Sequence, residues 1–357
     1  MIVEFLRNHG IIKNNMDYNN TPIDWHKVNN IINNANSIML TTHENPDGDG
    51  LGSESGLYYH LIEQEKNVRI INYSSLPAEY NYLNKDNIFE FYDSSMHDDW
   101  IKNIDLIIIF DVGDYKRIRT ITNVIEKYNV DVMNIDHHPH PKNNKFNFNI
   151  VDLSAAATGC MVYDYLNIAR DGKPISKNSL EGIYTATMTD TGCFRYSNTN
   201  NKCHEIAIES LNSGIKTHKI YQNIYENSTR SRMELMGYFL ADLNFELDGV
   251  FAWFKITQDM MRKANAEKSD VEGFSDMVRS INGVEVALMI FQQDESSCRI
   301  NFRSKGKIIV NDIAKEIGGG GHAYAAGAII NDSLDNTIKK VVSSTISSIQ
   351  NQINKSI

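Results

Sequence analysis

The segment Thr42-His-Glu-Asn-Pro-Asp-Gly-Asp-Gly-Leu-Gly-Ser53 decides how the first half of this chain is interpreted. It directly follows Ser37-Ile-Met-Leu-Thr-Thr42, a short apolar run that is typical of a buried strand. It leads into residues 53–65, where apolar residues recur at helical spacing. A strand, a polar turn and a helix therefore follow one another. The turn contains one histidine and two aspartates, which are His43, Asp47 and Asp49.

Apolar runs of the same kind recur along the chain and alternate with stretches of helical period. The runs lie at 68–73, 105–110 and 130–135, and one of the helical stretches is 116–127. Such alternation predicts a parallel sheet that is covered by helices on both faces. A length of 357 residues also exceeds one ordinary domain. We therefore predict an α/β fold with two domains.

Acidic and histidine residues lie where the later apolar runs end. Asp111 follows Leu106-Ile-Ile-Ile-Phe110, and Asp136-His137-His138 follows the run at 130–135. Asp190 follows Thr185-Ala-Thr-Met-Thr189, which we also take as a strand end. In an open α/β sheet, the carboxyl ends of the parallel strands form the ligand crevice. Segments that are far apart in sequence would therefore bring their carboxylates and imidazoles to one place.

This set of side chains suits two divalent cations. Mixed oxygen and imidazole ligands are typical of intermediate metals such as Mn²⁺. Asp47, Asp49, Asp111 and Asp190 would carry about four negative charges, which two divalent cations would neutralise. Each segment alone has a plainer interpretation, as turn residues after Pro46, a helix cap or a surface histidine pair. The occurrence of all four segments in order, each at a predicted strand end, favours the metal site.

The pattern changes after about residue 210. Residues 214–248 are mostly of helical period, and a second set of strands is predicted at 250–256, 284–291, 298–302 and 327–330. A glycine run at 318–321 precedes the last strand, and a terminal helix is predicted at 334–349. We predict four segments along the chain: an N-terminal extension at 1–16, a catalytic domain at 17–213, a helical linker at 214–235 and a substrate-binding domain at 236–357.

Composition restricts the classes of function. The net charge of −10 makes a protein that grips long DNA or RNA improbable, since such proteins present basic surfaces. A short anionic substrate can still bind where a few cations are concentrated. No apolar run approaches the roughly 20 residues that cross a bilayer, and the Asn-rich start lacks signal-peptide features. We therefore expect a cytoplasmic protein without membrane contact, whose four cysteines are reduced.

The four acidic segments resemble the four motifs of the DHH phosphoesterase superfamily. The tail Gly318-Gly-Gly-Gly-His322, with Arg303-Ser304 upstream, resembles a DHHA1 domain. From about residue 20 to about residue 345, the chain resembles the bacterial family of bifunctional oligoribonucleases and 3′-phosphoadenosine 5′-phosphate phosphatases. Gly50 departs from the commonest form of the first motif, which has Ala there; because both residues are small, we expect no loss of function.

The resemblance implies a role for each residue of the site. His43, Asp47 and Asp111 would hold one metal ion. Asp49, Asp111, His137 and Asp190 would hold the other, so that Asp111 bridges the two. Asp136 would orient an imidazole, and His138 would lie beside the scissile phosphate. The residues implied to bind the substrate are Arg195, Arg303, Ser304, Gly319, Gly320, Gly321 and His322, with free N–H groups of the glycine run facing a terminal phosphate.

The family implies in-line hydrolysis of a phosphodiester or phosphomonoester across a cleft between two α/β domains. The expected substrates are short RNA or DNA oligonucleotides, or adenosine 3′,5′-bisphosphate. An alternative is a linear or cyclic dinucleotide phosphodiesterase of the same superfamily, and the sequence barely distinguishes this function from the first. From a different class, a nucleotide-binding sensor without turnover also fits, although the intact ligand set argues against it. Oligomeric state stays open, with a homodimer as one option.

Overall fold

The computed structural model describes residues 22–141 and 144–355. The predicted N-terminal extension at 1–16 lies outside these ranges. The chain divides between Asn227 and Ser228 into two compact units, each with its own sheet and hydrophobic cores. Among the residues that are described, no helix has the length and apolar character needed to span a membrane.

The first unit alternates strands and helices along the chain. Its helices are α1 (Trp25–Asn34), α2 (Gly48–Glu63), α3 (Ser94–Ile101), α4 (Ile121–Tyr128), α5 (Thr158–Ala169), α6 (Lys177–Asp190), α7 (Asn201–Asn212) and α8 (Thr217–Tyr225). Its strands are β1 (Ser37–Thr42), β2 (Asn67–Asn72), β3 (Phe89–Phe91), β4 (Leu106–Phe110), β5 (Val132–Asp136) and β6 (Phe148–Val151).

These strands form one sheet in the order β3-β2-β1-β4-β5-β6, and all neighbours are parallel. The predicted parallel sheet is thereby confirmed. Successive residues of a strand point to opposite faces, and both faces are apolar here. Leu40 and Ile108 pack with α1, α2, α5 and α6, whereas Met39 and Ile107 pack with α3 and α4. Helices on both faces therefore fix the strand ends that carry the polar residues.

Two sequence predictions in this unit are wrong. The helix predicted at 116–127 is a 3₁₀ turn (Tyr115–Ile118) followed by α4, because Arg119 adopts a left-handed φ of 53° between them. The segment before Asp190 is the helix α6, not a strand. Its β-branched residues are accommodated because their hydroxyls donate to helix carbonyls one turn earlier, as Thr187 does to Ile183 at 2.9 Å.

Helices α2 and α6 touch through glycines. A Cβ atom on Gly182 of α6 would lie 2.5 Å from the carbonyl oxygen of Gly52 and 2.7 Å from the amide nitrogen of Gly56, both on α2. Only glycine lets two helix backbones approach this closely. The contact matters for the site because α2 carries Asp49 near its start and α6 ends at Asp190.

The second unit is a mixed sheet with helices on both faces. Its helices are α9 (Arg230–Ala241), α10 (Gln258–Ala264), α11 (Phe274–Arg279), α12 (Val310–Glu316) and α13 (Leu334–Lys355). Its strands are β7 (Asn244–Glu246), β8 (Phe251–Ile256), β9 (Val286–Asp294), β10 (Ser297–Ser304), β11 (Gly320–His322) and β12 (Ala325–Ile330). The order is β11-β12-β10-β9-β8-β7, and only β8 and β9 are parallel among these pairs.

The region predicted as a helical linker, 214–235, contains α8 and the first half of α9. Ile220 of α8 belongs to a core of the first unit, whereas Leu235 of α9 belongs to a core of the second. The two helices are therefore parts of different units. The chain passes from one unit to the other in the polar stretch between them, at 227–228.

Candidate metal centre

Three of the four acidic segments lie at the carboxyl ends of adjacent strands. His43 follows β1, Asp111 follows β4, and His137 follows β5. From β1 the chain continues through β2 to β3, whereas from β4 it continues to β5 and β6 on the other side. The sheet order therefore reverses between β1 and β4, and such a switch point opens a crevice above the strand ends. His43 and Asp111 lie at that crevice.

The first cluster joins His43 to two aspartates. The Nδ1–H of His43 donates to the carbonyl of Glu44 at 2.7 Å, which leaves the lone pair of Nε2 directed into the site. This Nε2 lies 3.4 Å from Oδ2 of Asp111 and 3.8 Å from Oδ1 of Asp47. Asp47 also caps α2, because its carboxylate accepts from the backbone N–H groups of Asp49 and Gly50. The start of α2 thus fixes this carboxylate beside the imidazole.

The second cluster surrounds His137. Its Nδ1–H donates to the carbonyl of Ala155 at 3.1 Å, so that Nε2 again presents a lone pair. This atom lies 3.5 Å from Asp49, 3.6 Å from Asp111 and 3.7 Å from Asp190, measured to carboxylate oxygens. It is buried and has no hydrogen-bond partner among the described residues. An imidazole lone pair that faces three carboxylates is repulsive unless a cation lies between them.

Asp111 belongs to both clusters. Its Oδ2 faces Nε2 of His43, and its Oδ1 faces Nε2 of His137. The backbone of Asp111 has a left-handed φ of 58°, which is uncommon outside glycine although Asp and Asn tolerate it. Its N–H donates to the carbonyl of Ile135 at the end of β5 and so extends the sheet pairing by one residue. This geometry directs one carboxylate toward two imidazoles.

Asp49 is held by the start of α5, a contact that sequence reasoning missed. The backbone N–H groups of Thr158 and Gly159 donate to its two oxygens at 2.7 and 2.9 Å. Free N–H groups at a helix start favour an anion. The available signal was the Ala-Thr-Gly sequence at the start of this apolar helical stretch, which by itself does not indicate the carboxylate it meets.

The presence of Gly50, where the commonest form of the first motif has Ala, has a local cause. A Cβ atom there would lie 2.3 Å from Oγ1 of Thr42, whose hydroxyl donates to the carbonyl of Phe110. The threonine at the end of β1 therefore fills the space that a methyl group would need. In this chain Thr42 therefore leaves no room for the alanine that is common at the position of Gly50.

Without a cation, the site retains protons to reduce its repulsion. Burial and the charges of Asp111 and Asp190 raise the pKa of Asp49 well above its usual value. Burial, together with neighbouring negative charges, raises the pKa of Asp190 to about 6. Burial alone would lower the pKa of His43, but hydrogen bonds with Asp111 and Asp47 raise it to about 9. Divalent cations would take the place of these protons, so their binding would release protons.

The residues present therefore fit divalent cations. Three groups of described side chains have ligand atoms within 4.8 Å of one another. One of them, Asp111, His137 and His138, shares a residue with each of the other two, which are His43, Asp47 and Asp111, and Asp49, His137 and Asp190. Each of the latter two groups offers one imidazole nitrogen and two carboxylates, a donor set that intermediate divalent metals accept. The family resemblance implied the same two groups with Asp111 also in the second, and this assignment of ligands stays a prediction.

His138 and Asp136 lie next to this centre. The imidazole Nδ1 of His138 is 2.9 Å from Oδ1 of Asp136 and 3.1 Å from Oδ1 of Asp111. These two hydrogen bonds raise the pKa of His138 to about 11. Because its Nδ1–H is donated to carboxylates, the half-exposed ring presents its Nε2–H outward. Asp136 is fully buried and holds the ring of His138 by this hydrogen bond, and its role in orienting a catalytic imidazole stays a prediction.

In the second unit, the sheet register places two of the predicted substrate-binding residues on one face. Arg303 of β10 pairs with Ala325 of β12, which pairs with His322 of β11. Residues opposite one another in a sheet point to the same face. The Nε–H of Arg303 donates to Asp276 at 3.1 Å. Its side chain and that of His322 therefore share a face two strands apart.

The other predicted residues of this unit need correction. Ser304 points to the opposite face, where it is buried and its hydroxyl donates to Glu285 at 3.1 Å. The glycine run does not have free N–H groups throughout, because those of Gly318 and Gly319 donate to carbonyls of Lys315 and Ala314 at the end of α12. Gly320 and Gly321 belong to strand β11. Only part of the run can therefore bind an anion through its backbone.

Arg195 lies in an unusual turn directly after α6. The three preceding residues, Gly192, Cys193 and Phe194, all have left-handed φ angles of 54–62°. The Nε–H of Arg195 donates to the carbonyl of Gly192 at 2.7 Å, which keeps the guanidinium close to the end of the helix that carries Asp190. The segment is therefore a turn.

Comparison with known proteins finds family models and curated relatives for both units. The family model "DHH family, N-terminal domain" matches residues 37–187, and the DHHA1 domain model matches residues 252–351. The bifunctional oligoribonuclease and PAP phosphatase NrnA of Bacillus subtilis is 29% identical over 82% of this chain and 89% of its own length. NrnA of Thermus thermophilus is 28% identical over 85% of this chain and 88% of its own length.

A solved structure also matches over both units. The exopolyphosphatase-related protein from Bacteroides fragilis has a TM-score of 0.83 and 28% identity, covering 92% of this chain and 95% of its own. One family model matches a part of each unit. The DHH match contains five of the six proposed ligands, and Asp190 lies three residues beyond its end. The chain therefore belongs to the DHH family and carries a DHHA1 domain after its DHH domain.

Proposed function

We propose that this protein is a phosphoesterase that uses two divalent cations, with Mn²⁺ as the preferred metal, to hydrolyse short oligonucleotides and adenosine 3′,5′-bisphosphate. The observation that carries the proposal is the arrangement at Asp111, whose two oxygens face the Nε2 atoms of His43 and His137. The substrate class is supported by the NrnA relatives, which are named as bifunctional oligoribonucleases and PAP phosphatases.

Each residue of the centre has a defined task in this proposal. His43, Asp47 and Asp111 hold one cation, and Asp49, Asp111, His137 and Asp190 hold the other. When bound, the cations activate the attacking water and polarise the phosphoryl group. His138 donates the proton on its outward Nε2 to the leaving oxygen, and Asp136 keeps the ring in that orientation. In the second unit, Arg303 and His322 bind a terminal phosphate by charge-assisted hydrogen bonds.

A substrate panel in Mn²⁺ tests the proposal. Rates should be measured for adenosine 3′,5′-bisphosphate, for RNA of two to twenty-four nucleotides, for linear and cyclic dinucleotides, and for pyrophosphate. We expect kcat/KM to be highest for adenosine 3′,5′-bisphosphate and for RNA of two to five nucleotides, because an acidic chain offers longer RNA no further attraction. Faster cleavage of the twenty-four-mer than of the trimer, or release of phosphate from pyrophosphate alone, would reject this substrate class.

The role of Arg303 can be tested against a neighbour on its own strand. Arg303→Ala removes a charged contact worth on the order of 1.5–3 kcal/mol, so kcat/KM for a dinucleotide should fall about ten- to a hundredfold. Arg299→Ala is the matched control, because Arg299 lies on the same face of β10 and is hydrogen-bonded to Asn301. Hydrolysis of bis(p-nitrophenyl) phosphate, which has no terminal phosphate, should change little in either variant. Similar losses on both substrates for Arg303→Ala would contradict the assignment.

A further inference from the structure

A third histidine, His140, lies behind the Asp136–His138 pair and has no part in the chemistry described above. Its side chain is 1% exposed, and its Nε2 lies 2.6 Å from Oδ2 of Asp136. The other oxygen of Asp136 accepts from the imidazole Nδ1 and from the backbone N–H of His138, at 2.9 and 3.1 Å. The two oxygens of one buried carboxylate are thus assigned to two different histidines.

The hydrogen bonds around His140 fix its tautomer. The side-chain amide of Asn144 lies 3.0 Å from Nδ1 of His140 and donates to it, so Nδ1 is the acceptor and Nε2 carries the hydrogen. The amide nitrogen of Asn134 lies 3.4 Å from Nε2 and donates to Asn149 at 3.1 Å; because an amide nitrogen accepts no hydrogen bond, it is not the partner of Nε2–H. The 2.6 Å contact with Asp136 is therefore the hydrogen bond that Nε2–H makes.

Asn144 is itself anchored to the loop that follows β4. Its amide nitrogen lies 3.3 Å from the carbonyl of Gly113, and its Oδ1 accepts from the backbone N–H of Tyr115 at 3.3 Å. The ring of His140 also packs against Phe146, with ring centroids 5.7 Å apart. The imidazole is therefore held on its edge and on its face. A rigid donor at this position leaves the carboxylate of Asp136 little freedom to rotate.

We propose that His140 is a positioning residue: through its Nε2–H bond to Oδ2 it fixes the carboxylate of Asp136, and thereby aims His138 at the leaving oxygen. The inference rests on the proposed function, because it needs His138 to donate a proton. Loss of the donor would leave Oδ2 unpaired, and the carboxylate would rotate toward another donor. Groups that orient a functional histidine in this indirect way are typically worth ten- to a hundredfold in activity.

The kinetic test distinguishes a loss of His138 orientation from general damage to the fold. His140→Leu keeps much of the volume but has no donor, whereas the amide nitrogen of His140→Gln can reach the position of Nε2. With a dinucleotide, whose leaving alkoxide needs a proton, kcat of His140→Leu should fall ten- to a hundredfold with little change in KM. With bis(p-nitrophenyl) phosphate, whose leaving group departs without a proton, the fall should stay below about threefold. His140→Gln should recover most of the lost rate.

Three outcomes would overturn the inference: equal losses on the two substrates, a His140→Gln variant as slow as His140→Leu, or full activity of both. A second measurement does not depend on activity. Long-range ¹H–¹⁵N correlation spectra of the wild-type imidazoles should show His140 with its hydrogen on Nε2, and a hydrogen on Nδ1 alone would also overturn the inference. If the wild-type protein hydrolyses no phosphoester, the proposed function fails, and these spectra still decide whether His140 donates to Asp136.

Discussion

Replacing Asp111 by Asn is expected to lower kcat by roughly a thousandfold, which corresponds to about 4 kcal/mol in the activation barrier. The variant keeps the shape of the side chain, and Asn tolerates the left-handed φ of 58°. It removes the charge from Asp111, which among the described residues is the carboxylate that faces both His43 and His137. Both proposed cations would lose a ligand at once, whereas Asp49→Asn or Asp190→Asn affects one.

The fold should survive this change. Asp111 lies among other carboxylates, but it also accepts hydrogen bonds from the imidazoles of His43 and His138, whose pKa values these bonds raise. Because the variant loses repulsion and attraction together, its Tm in chelator should lie close to that of the wild type. Asp114→Asn provides a control in the same loop, because that carboxylate accepts from the backbone N–H of Lys116 and is paired with no imidazole in the part of the chain that the structure describes. Near-wild-type kcat for Asp111→Asn on every substrate of the panel would show that the assignment of ligands is wrong.

Replacing Gly182 by Ala is expected to destabilise the first unit by about 1–3 kcal/mol or more, despite the better helix propensity of alanine. The added methyl would lie 2.5 Å from the carbonyl of Gly52 and 2.7 Å from the amide nitrogen of Gly56. Both contacts are with backbone, so α2 and α6 must separate. Because these helices carry Asp49 and Asp190, the affinity for Mn²⁺ should fall together with the stability.

Gly237→Ala is the matched control for this variant. Gly237 also lies inside a helix, α9, but a Cβ atom there would have nothing within 4 Å. Its replacement should therefore stabilise the second unit by about 0.5–1 kcal/mol, since alanine loses less backbone entropy on folding. Denaturant unfolding and Mn²⁺ titration of the two variants check both expectations. If Gly182→Ala raised the free energy of unfolding as Gly237→Ala is expected to do, the close contact between α2 and α6 would not exist.

Much of the first unit could be predicted from the sequence because its strands are buried on both faces. Such strands are recognised as continuous apolar runs. Binding sites of α/β sheets lie at the carboxyl ends of the strands, so residues far apart along the chain could be assigned to one site. His43, Asp111 and His137 lie where this reasoning expected them. The order of the strands, and hence the switch point between β1 and β4, required the structure.

Other parts of the site depend on contacts that no local pattern records. The run before Asp190 contains three threonines and resembles a strand, but hydrogen bonds from their hydroxyls to the helix backbone let it form α6. The N–H groups that hold Asp49 come from the start of α5, 109 residues along the chain. The orientation of Ser304 could have been predicted from the sequence. Adjacent residues of a strand point to opposite faces, so Arg303 and Ser304 cannot both contact one ligand.

The central claim is that the strand ends of the first unit hold two divalent cations with Asp111 between them. Crystals soaked in Mn²⁺, with anomalous diffraction measured at the manganese absorption edge, test this claim most directly. We expect two peaks about 3.5–4 Å apart, one next to His43 and Asp47, the other next to Asp49, His137 and Asp190, with Asp111 contacting both. A single peak, or two peaks of which only one touches Asp111, would contradict the account.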